Sequence, residues 1–129
     1  MTYSRATNFG RPLGWLNPKT APTRKLERDD IIWAAGVYEG EGCCVLSANS
    51  IGNTCETVAV SQKDEWLPRR LQSLFGGSVR VTSNKTCPNG KTYRGIFEWY
   101  IGGARARGFL QSIYELVSPR RQRQIRRVL

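Results

Sequence analysis

One stretch decides the predicted fold of this chain: Trp33-Ala34-Ala35-Gly36-Val37-Tyr38-Glu39-Gly40-Glu41-Gly42. Asp29 and Asp30 precede it, and because acidic residues cap helices and suit their positive N-termini, we predict a helix over 30–41. Gly36 and Gly40 lie four residues apart on one face of that helix, and each weakens a helix by about 1 kcal/mol relative to alanine. The pair therefore predicts that another backbone packs very closely against this face.

Glu41 stands at the end of the predicted helix, directly before Gly42. The negative end of the helix dipole disfavours a carboxylate at that position. A bound cation would reverse this preference, so Glu41 is a candidate metal ligand.

The chain has 129 residues and a net charge of +10 at pH 7. The length suits one domain with a sizeable core. The charge indicates a polyanionic partner, most often a nucleic acid, although a merely soluble basic protein would also show it. No apolar run of about 18 residues and no signal peptide is present. We therefore expect no membrane span and an intracellular location, in the cytoplasm of a bacterium or phage host or in an organelle, without secretion.

The absence of histidine excludes several chemistries. Ser-His-Asp and Cys-His catalysis both need an imidazole, as do zinc fingers with histidine ligands. The four cysteines show no C-x-x-C spacing, so we do not expect a zinc site. Any hydrolytic chemistry must come from carboxylates, a metal, lysine or arginine.

Residues 1–28 are predicted to form an extended basic arm, ahead of a single domain over 29–129. The arm has no hydrophobic period, and it carries five cations before its first acid. Two arrangements remain open: the arm lies along DNA, or it packs Phe9, Trp15 and Leu16 onto its own domain.

The domain is predicted to be α+β, in the order αββαββα with a further closing helix. Apolar spacing predicts strands over 43–49, 55–62, 78–83 and 93–101. It also predicts a helix capped by Asp64 and ending at Phe75, a helix around Phe109–Val117 and a last helix capped by Ser118. Two hairpins would form a four-stranded antiparallel sheet with helices on one face.

The other face of this sheet is predicted to be open, polar and basic, and to bind a DNA groove, since strands can read base edges. The predicted DNA-binding residues of this face are Ser47, Asn49, Thr57, Ser61, Arg80, Thr82 and Arg94. In the last helix Arg121 shares a face with Ile125 and Val128, so it is predicted to point toward the protein body or its ligand. A separate basic face of this helix carries Arg120, Arg123 and Arg127. DNA binding and plain solvation both remain open for it, and Arg120 and Arg123 are its predicted DNA-binding residues.

Residues 34–42 resemble the LAGLIDADG motif of homing endonucleases, with Ala34 for the leading leucine and glutamate for both aspartates. The preceding Trp33 also fits the family. The resemblance covers roughly residues 29–129 in the family's order of elements and includes Leu74-Phe75-Gly76-Gly77-Ser78. It implies the homing-endonuclease fold, a site-specific endonuclease and a mobile genetic element, intron-encoded or free-standing.

The resemblance also implies a homodimer, because the family's motif helix packs against a second copy of itself and this chain holds one motif. Trp33, Gly36, Val37 and Gly40 are then the expected interface residues. Two-fold symmetry predicts a long, pseudo-palindromic site in double-stranded DNA.

Carried over residue by residue, the resemblance implies that Glu41 is the catalytic acid. Two copies of Glu41, with the main-chain carbonyl of Gly40, would hold Mg²⁺ or another divalent cation, which assists phosphodiester hydrolysis. Gln62 matches a position that orders water, and Lys63 lies beside it. Arg121 matches a basic residue that stabilises phosphate charge.

Two other functions remain open. Some proteins with this fold have lost cleavage and act as transcription factors or intron maturases, and glutamate at both acidic motif positions keeps this alternative open. A divalent ion between two copies of Glu41 would favour the endonuclease. A general RNA-binding protein would show little sequence preference and a steep salt dependence. Glu39, near the helix end, is expected to be structural.

Overall fold

The computed structural model describes residues 21–48, 52–82, 85–86, 88–93 and 95–129, with the backbone alone for 85–86 and 92–93. Two predicted DNA-binding residues, Asn49 and Arg94, lie outside the described residues. The same holds for residues 1–20 of the predicted arm. The predicted boundary between arm and domain stays a prediction.

The described helices and strands follow the predicted order. They are α1 (Arg28–Glu41), β1 (Gly42–Ala48), β2 (Thr54–Gln62), α2 (Trp66–Phe75), β3 (Ser78–Val81), β4 (Lys85–Thr86), β5 (Thr92–Tyr93), β6 (Phe97–Gly102), α3 (Ala104–Ile113), a 3-10 turn (Tyr114–Leu116) and α4 (Pro119–Val128). The short strands β4 and β5 were not predicted. They lie between β3 and β6 along the chain and form a separate two-stranded sheet.

The four longer strands form one antiparallel sheet in the order β1-β2-β6-β3. Gly42 pairs with Val60, Val60 with Trp99, and Trp99 with Val79, so one row of partners crosses the whole sheet. Residues in such a row point to the same side of a sheet. The helices pack on the side that carries Val60 and Trp99, which confirms the predicted α+β fold with helices on one face.

The core lies between this side of the sheet and the helices. Its largest member is Trp99, which is fully buried, and its indole Nε1–H donates to the carbonyl of Gly76 at 2.8 Å. Phe109 of α3 packs edge-on against Trp99, with ring centroids 5.3 Å apart. Other buried residues are Ala34, Ala35, Tyr38, Val58, Val60, Leu71, Ile101, Leu110, Ile113 and Ile125.

Two predicted helix starts were wrong. α1 begins at Arg28, because Glu27 is its N-cap and the N–H of Glu27 donates to Asp30 Oδ2 at 2.9 Å. Asp30 therefore closes a capping box from inside the first turn. α2 begins after Glu65, and Asp64 does not cap it. The prediction for α4 was right: the Ser118 hydroxyl accepts from the N–H of Arg121.

Two predicted strand ends were also wrong. β6 begins at Phe97, because Tyr93 pairs with Lys85 in the small hairpin. β3 ends at Val81, and Thr82 bonds to Ile96 through both its N–H and its hydroxyl.

Candidate active site and nucleic-acid interface

The turn from α1 into β1, residues 39–42, is called the α1–β1 junction below. α1 ends at Glu41 and β1 begins at Gly42, so helix and strand follow each other without a loop. A Cβ atom at Gly42 would lie 2.2 Å from Cδ1 of Tyr38. Because Tyr38 is fully buried, its ring has no room to give way. Glycine at position 42 is therefore a steric requirement of the junction.

Ser118, at the start of α4, hydrogen-bonds to the α1–β1 junction. The N–H and hydroxyl of Ser118 donate to the Glu39 carboxylate at 2.6 and 2.9 Å. These hydrogen bonds lower the pKa of Glu39 below its ordinary value. Since the same Ser118 caps α4, one residue joins the end of α1 to the start of α4. The expectation that Glu39 is structural agrees with this geometry.

Arg121 completes the contact between α4 and the junction. Its Nε and Nη2 donate to the carbonyl of Glu39 at 3.2 and 3.0 Å, and its Nη1 donates to the carbonyl of Gly42 at 2.8 Å. The guanidinium also lies over the ring of Tyr38, 5.1 Å from its centroid. A cation here satisfies carbonyls that the helix end leaves unpaired and suits the negative end of its dipole.

Arg121 is 9% exposed and points into the protein body, which was one of the two predicted directions. Its N–H groups are engaged by main-chain carbonyls and by Gln124 Oε1 at 3.1 Å. This geometry assigns Arg121 to holding the end of α1. Its implied contact with a phosphate stays a prediction.

Glu41 differs from its neighbours in the junction. Its side chain is exposed, and within the described part of the chain its carboxylate has neither a hydrogen bond nor an ion pair. Arg121 binds the carbonyls of Glu39 and Gly42 but not that of Gly40, which lies between them. The junction thus fixes the backbone around Glu41 and leaves its carboxylate free.

Gln62 and Lys63 lie at the same end of the sheet as Glu41. Because Gly42 pairs with Val60, the end of β2 runs past the start of β1, where α1 ends. Gln62 is half-buried and Lys63 is exposed, and neither side chain has a partner among the described residues. The register thus places all three free polar side chains at one end of the sheet.

The oxygen donors at this end suit a hard cation such as Mg²⁺, which prefers carboxylate, carbonyl and water ligands. In the described part of the chain no group of three or more His, Cys, Asp and Glu side chains could hold a metal ion. At this end of the sheet one chain therefore offers a metal ion the single carboxylate of Glu41. A complete set of ligands for that ion needs further oxygens from outside the chain.

The face of α1 that carries Gly36 and Gly40 is uncovered. A Cβ atom at either glycine would meet nothing within 4 Å. Ile32, one turn before Gly36, is 46% exposed, so the interpretation of Ile32 as a buried helix residue was wrong. The close neighbour that the two glycines predict is not supplied by the described part of this chain.

Trp33 and Val37, the other two predicted interface residues, are half-buried within their own chain. Trp33 packs edge-on against Trp66 of α2, with ring centroids 6.1 Å apart, and the guanidinium of Arg70 lies 4.7 Å from its centroid. Trp33 and Val37 therefore already contact their own chain, whereas Cβ atoms at the two glycines would contact nothing in the described part of it.

The side of the sheet away from the helices is called the open face. The register places four of the predicted DNA-binding residues on this side: Ser47, Thr57, Ser61 and Arg80. Thr82 lies one residue beyond β3, so its place on this face stays a prediction. The Thr57 hydroxyl donates to Ser47 Oγ at 3.2 Å, which links β2 to the edge strand β1. Sequence alternation therefore found the correct side of each strand.

The open face is less basic than predicted. Its described strand residues include the carboxylate of Glu98, which pairs with Arg80, and the exposed apolar side chain of Val45. The sequence pattern missed Glu98 and Tyr100, although alternation with the buried Trp99 and Ile101 could have placed both on this side.

Arg120 and Arg123 are exposed on α4, as predicted. Nη2 of Arg120 lies 3.9 Å from a Glu39 carboxylate oxygen. This pair is exposed, so it contributes little to stability. Both arginines are available to a nucleic-acid backbone, and their DNA contacts stay a prediction.

The chain is similar over 51 residues to the intron-encoded RNA maturase bI4 of Saccharomyces cerevisiae, with 39% of these residues identical. The match covers 40% of this chain and 8% of the yeast protein, so the chain spans a small part of its relative's length. No family model matches the chain. Among the described helices, none is long and apolar enough to cross a membrane.

Proposed function

We propose that this chain is a LAGLIDADG-type, site-specific endonuclease that cuts both strands of DNA as a homodimer with divalent metal ions. The observation that carries the proposal is the exposed carboxylate of Glu41, which has no partner within the described residues, at the α1–β1 junction beside the face of α1 that carries Gly36 and Gly40. The similarity of part of the chain to an intron-encoded protein supports a LAGLIDADG-type protein.

The uncovered face of α1 supports the homodimer. A helix with apolar side chains on both faces is normally buried on both, yet Ile32 is 46% exposed and Cβ atoms at Gly36 and Gly40 would meet nothing within 4 Å in the described chain. A second copy of α1 would let the two backbones approach closely at the glycines. Such a contact is isologous, and it brings two Glu41 carboxylates close together.

Two carboxylates beside DNA phosphates repel each other unless cations lie between them. The carboxylate of Glu41 and the carbonyl of Gly40 would hold the cation, together with oxygens of the partner chain, the DNA and water. When bound, Mg²⁺ activates water and stabilises the leaving 3′-oxygen. Gln62 would orient water through its amide, and the Lys63 ammonium would offset phosphate charge. Arg121 acts as a positioning residue that keeps the end of α1 in place.

Replacing Glu41 tests the proposal. DNA targets are first selected by binding from a library of long random duplexes, and cleavage is then measured with Mg²⁺. We expect Glu41→Gln to bind the selected DNA with near-normal affinity and to lose cleavage by at least about 100-fold, a typical loss for removing one charged stabilising group.

Glu115→Gln is the matched control, because Glu115 is an exposed glutamate in the 3-10 turn, and it should cut normally. Equal cutting by Glu41→Gln would remove Glu41 from the mechanism. Specific binding by the unmodified protein without any cutting would refute the endonuclease.

The second candidate is a cleavage-inactive binding protein, such as an intron maturase, and the name of the yeast relative is compatible with it as well as with an endonuclease. A maturase would bind its intron RNA more tightly than the DNA duplex of the same sequence. Competition between these two nucleic acids at equal salt separates the candidates, since both affinities depend strongly on salt.

A further inference from the structure

Glu98 is the one carboxylate among the described strand residues of the open face. β6 lies between β2 and β3, so Glu98 is near the middle of the sheet, and its side chain is 23% exposed. The hydroxyl of Ser61 donates to Glu98 Oε2 at 3.3 Å, and Arg80 Nη2 donates to Oε1. A carboxylate repels a polyanion, so attraction of phosphates cannot be the role of Glu98 on this face.

The guanidinium of Arg80 is held from two directions. Glu98 binds its Nη2, and the ring of Tyr100 lies beneath it at 5.0 Å from the centroid. The side chain of Arg80 is nevertheless 61% exposed. Its Nε and Nη1 have no acceptor within the part of the chain that the structure describes. A guanidinium with its orientation restricted and its remaining N–H groups exposed is ready to bind a planar pair of acceptors.

Resting on the proposed DNA-binding role of the open face, we propose that Arg80 reads a guanine in the major groove and that Glu98 and Tyr100 position it. Guanine presents O6 and N7 side by side, and a bidentate arginine is the commonest specific contact to this base. Because its guanidinium is already ordered, Arg80 loses less conformational entropy when it binds.

The charge of the pair agrees with base reading. Arg80 and Glu98 together are close to neutral, so they add little to the attraction of phosphates that drives non-specific binding. Their contribution is therefore to selectivity. In a two-fold homodimer each copy of Arg80 would read one guanine, which places one guanine in each half-site.

The test is selection of bound duplexes from a random library without added Mg²⁺, followed by affinity measurement over a range of salt. The unmodified protein should prefer guanine about tenfold at one position of each half-site, the discrimination expected of one bidentate contact. Arg80→Lys keeps the positive charge and the aliphatic part of the side chain, but it removes the paired N–H donors of the guanidinium. The variant should therefore lose the preference for guanine.

Glu98→Gln should also weaken the guanine preference, yet it should bind random DNA more tightly and with a steeper salt dependence, because it removes a negative charge. A purely structural role of Glu98 would not produce that combination. Arg69→Lys is the control, because Arg69 is an exposed arginine of α2 that pairs with Glu65 on the helix side of the sheet, and it should leave base preference unchanged.

A retained guanine preference in Arg80→Lys would overturn the inference, as would an equal loss of affinity for all sequences. If the unmodified protein shows no base preference at any position, the proposed function itself fails, and this inference fails with it. The two failures are thus distinguished by the unmodified protein alone.

Discussion

Replacing Arg121 by methionine tests whether this arginine stabilises the α1–β1 junction. Methionine keeps an unbranched apolar stem that can still cover Tyr38, while it removes every N–H donor of the guanidinium. The carbonyls of Glu39 and Gly42 then lose the partner that the structure gives them. We expect a clear loss of stability, independent of any DNA.

The expected loss of unfolding free energy can be worked out from the two carbonyls that lose their hydrogen bonds. Gly42 is buried, so its carbonyl would be left unsatisfied, at a cost of about 1–3 kcal/mol. Glu39 is half-buried and its carbonyl can turn to water, which limits that loss to about 1 kcal/mol. The expected total loss of unfolding free energy is about 3 kcal/mol. For a domain of this size, each kcal/mol lost lowers the melting temperature by about 4 °C.

The measurement is urea denaturation of the protein without nucleic acid, followed by far-UV circular dichroism. Arg123→Met is the matched control, because Arg123 is exposed on the same helix, and its unfolding free energy should change by less than about 0.5 kcal/mol. If Arg121→Met unfolds within about 0.5 kcal/mol of the unmodified protein, the positioning role is refuted, and a role at phosphate becomes the better explanation.

Three further predictions concern α1 and the α1–β1 junction. Gly42→Ala should destabilise the protein by about 1–3 kcal/mol in urea denaturation, since its methyl group overlaps the ring of Tyr38; unchanged stability would contradict the steric requirement. The unfolding free energy should fall as pH drops below about 4.3, the ordinary glutamate pKa, because Glu39 titrates lower in the folded protein where Ser118 binds its carboxylate. Glu39→Gln should flatten that part of the pH curve, and a curve of unchanged slope would dismiss this linkage. Gly36→Leu should convert a dimer to a monomer in analytical ultracentrifugation while the protomer stays folded, because a Cβ atom at position 36 meets nothing within 4 Å in the described part of the chain; an unaffected dimer would exclude the face of α1 with Gly36 and Gly40 as the interface.

Most of the fold could be predicted from periodicity. Val58 and Val60 are two positions apart, which indicated the buried side of β2, and both are buried in the structure. The helix starts were harder, because Glu27 competes with the acids that follow it as N-cap. The small hairpin of β4 and β5 was missed, since strands of two residues show no period.

The candidate site was predicted in part. Glu41 and the two glycines are unusual for their places in a helix, so the sequence could indicate them. The contacts of Ser118 and Arg121 with the junction could not be predicted, because they join residues 79 and 82 positions apart along the chain. Such contacts depend on how α4 packs.

The sequence by itself determined the order of the longer helices and strands, the buried side of each of these strands and the two helical glycines, because these depend on local spacing and backbone propensity. The tertiary structure decided which polar groups are already engaged. Arg121 donates to main-chain carbonyls and Glu98 binds Arg80, whereas the carboxylate of Glu41 has no partner among the residues that the structure describes. The physical reason is that a hydrogen bond needs two groups within about 3 Å, and only packing and strand register bring distant residues that close.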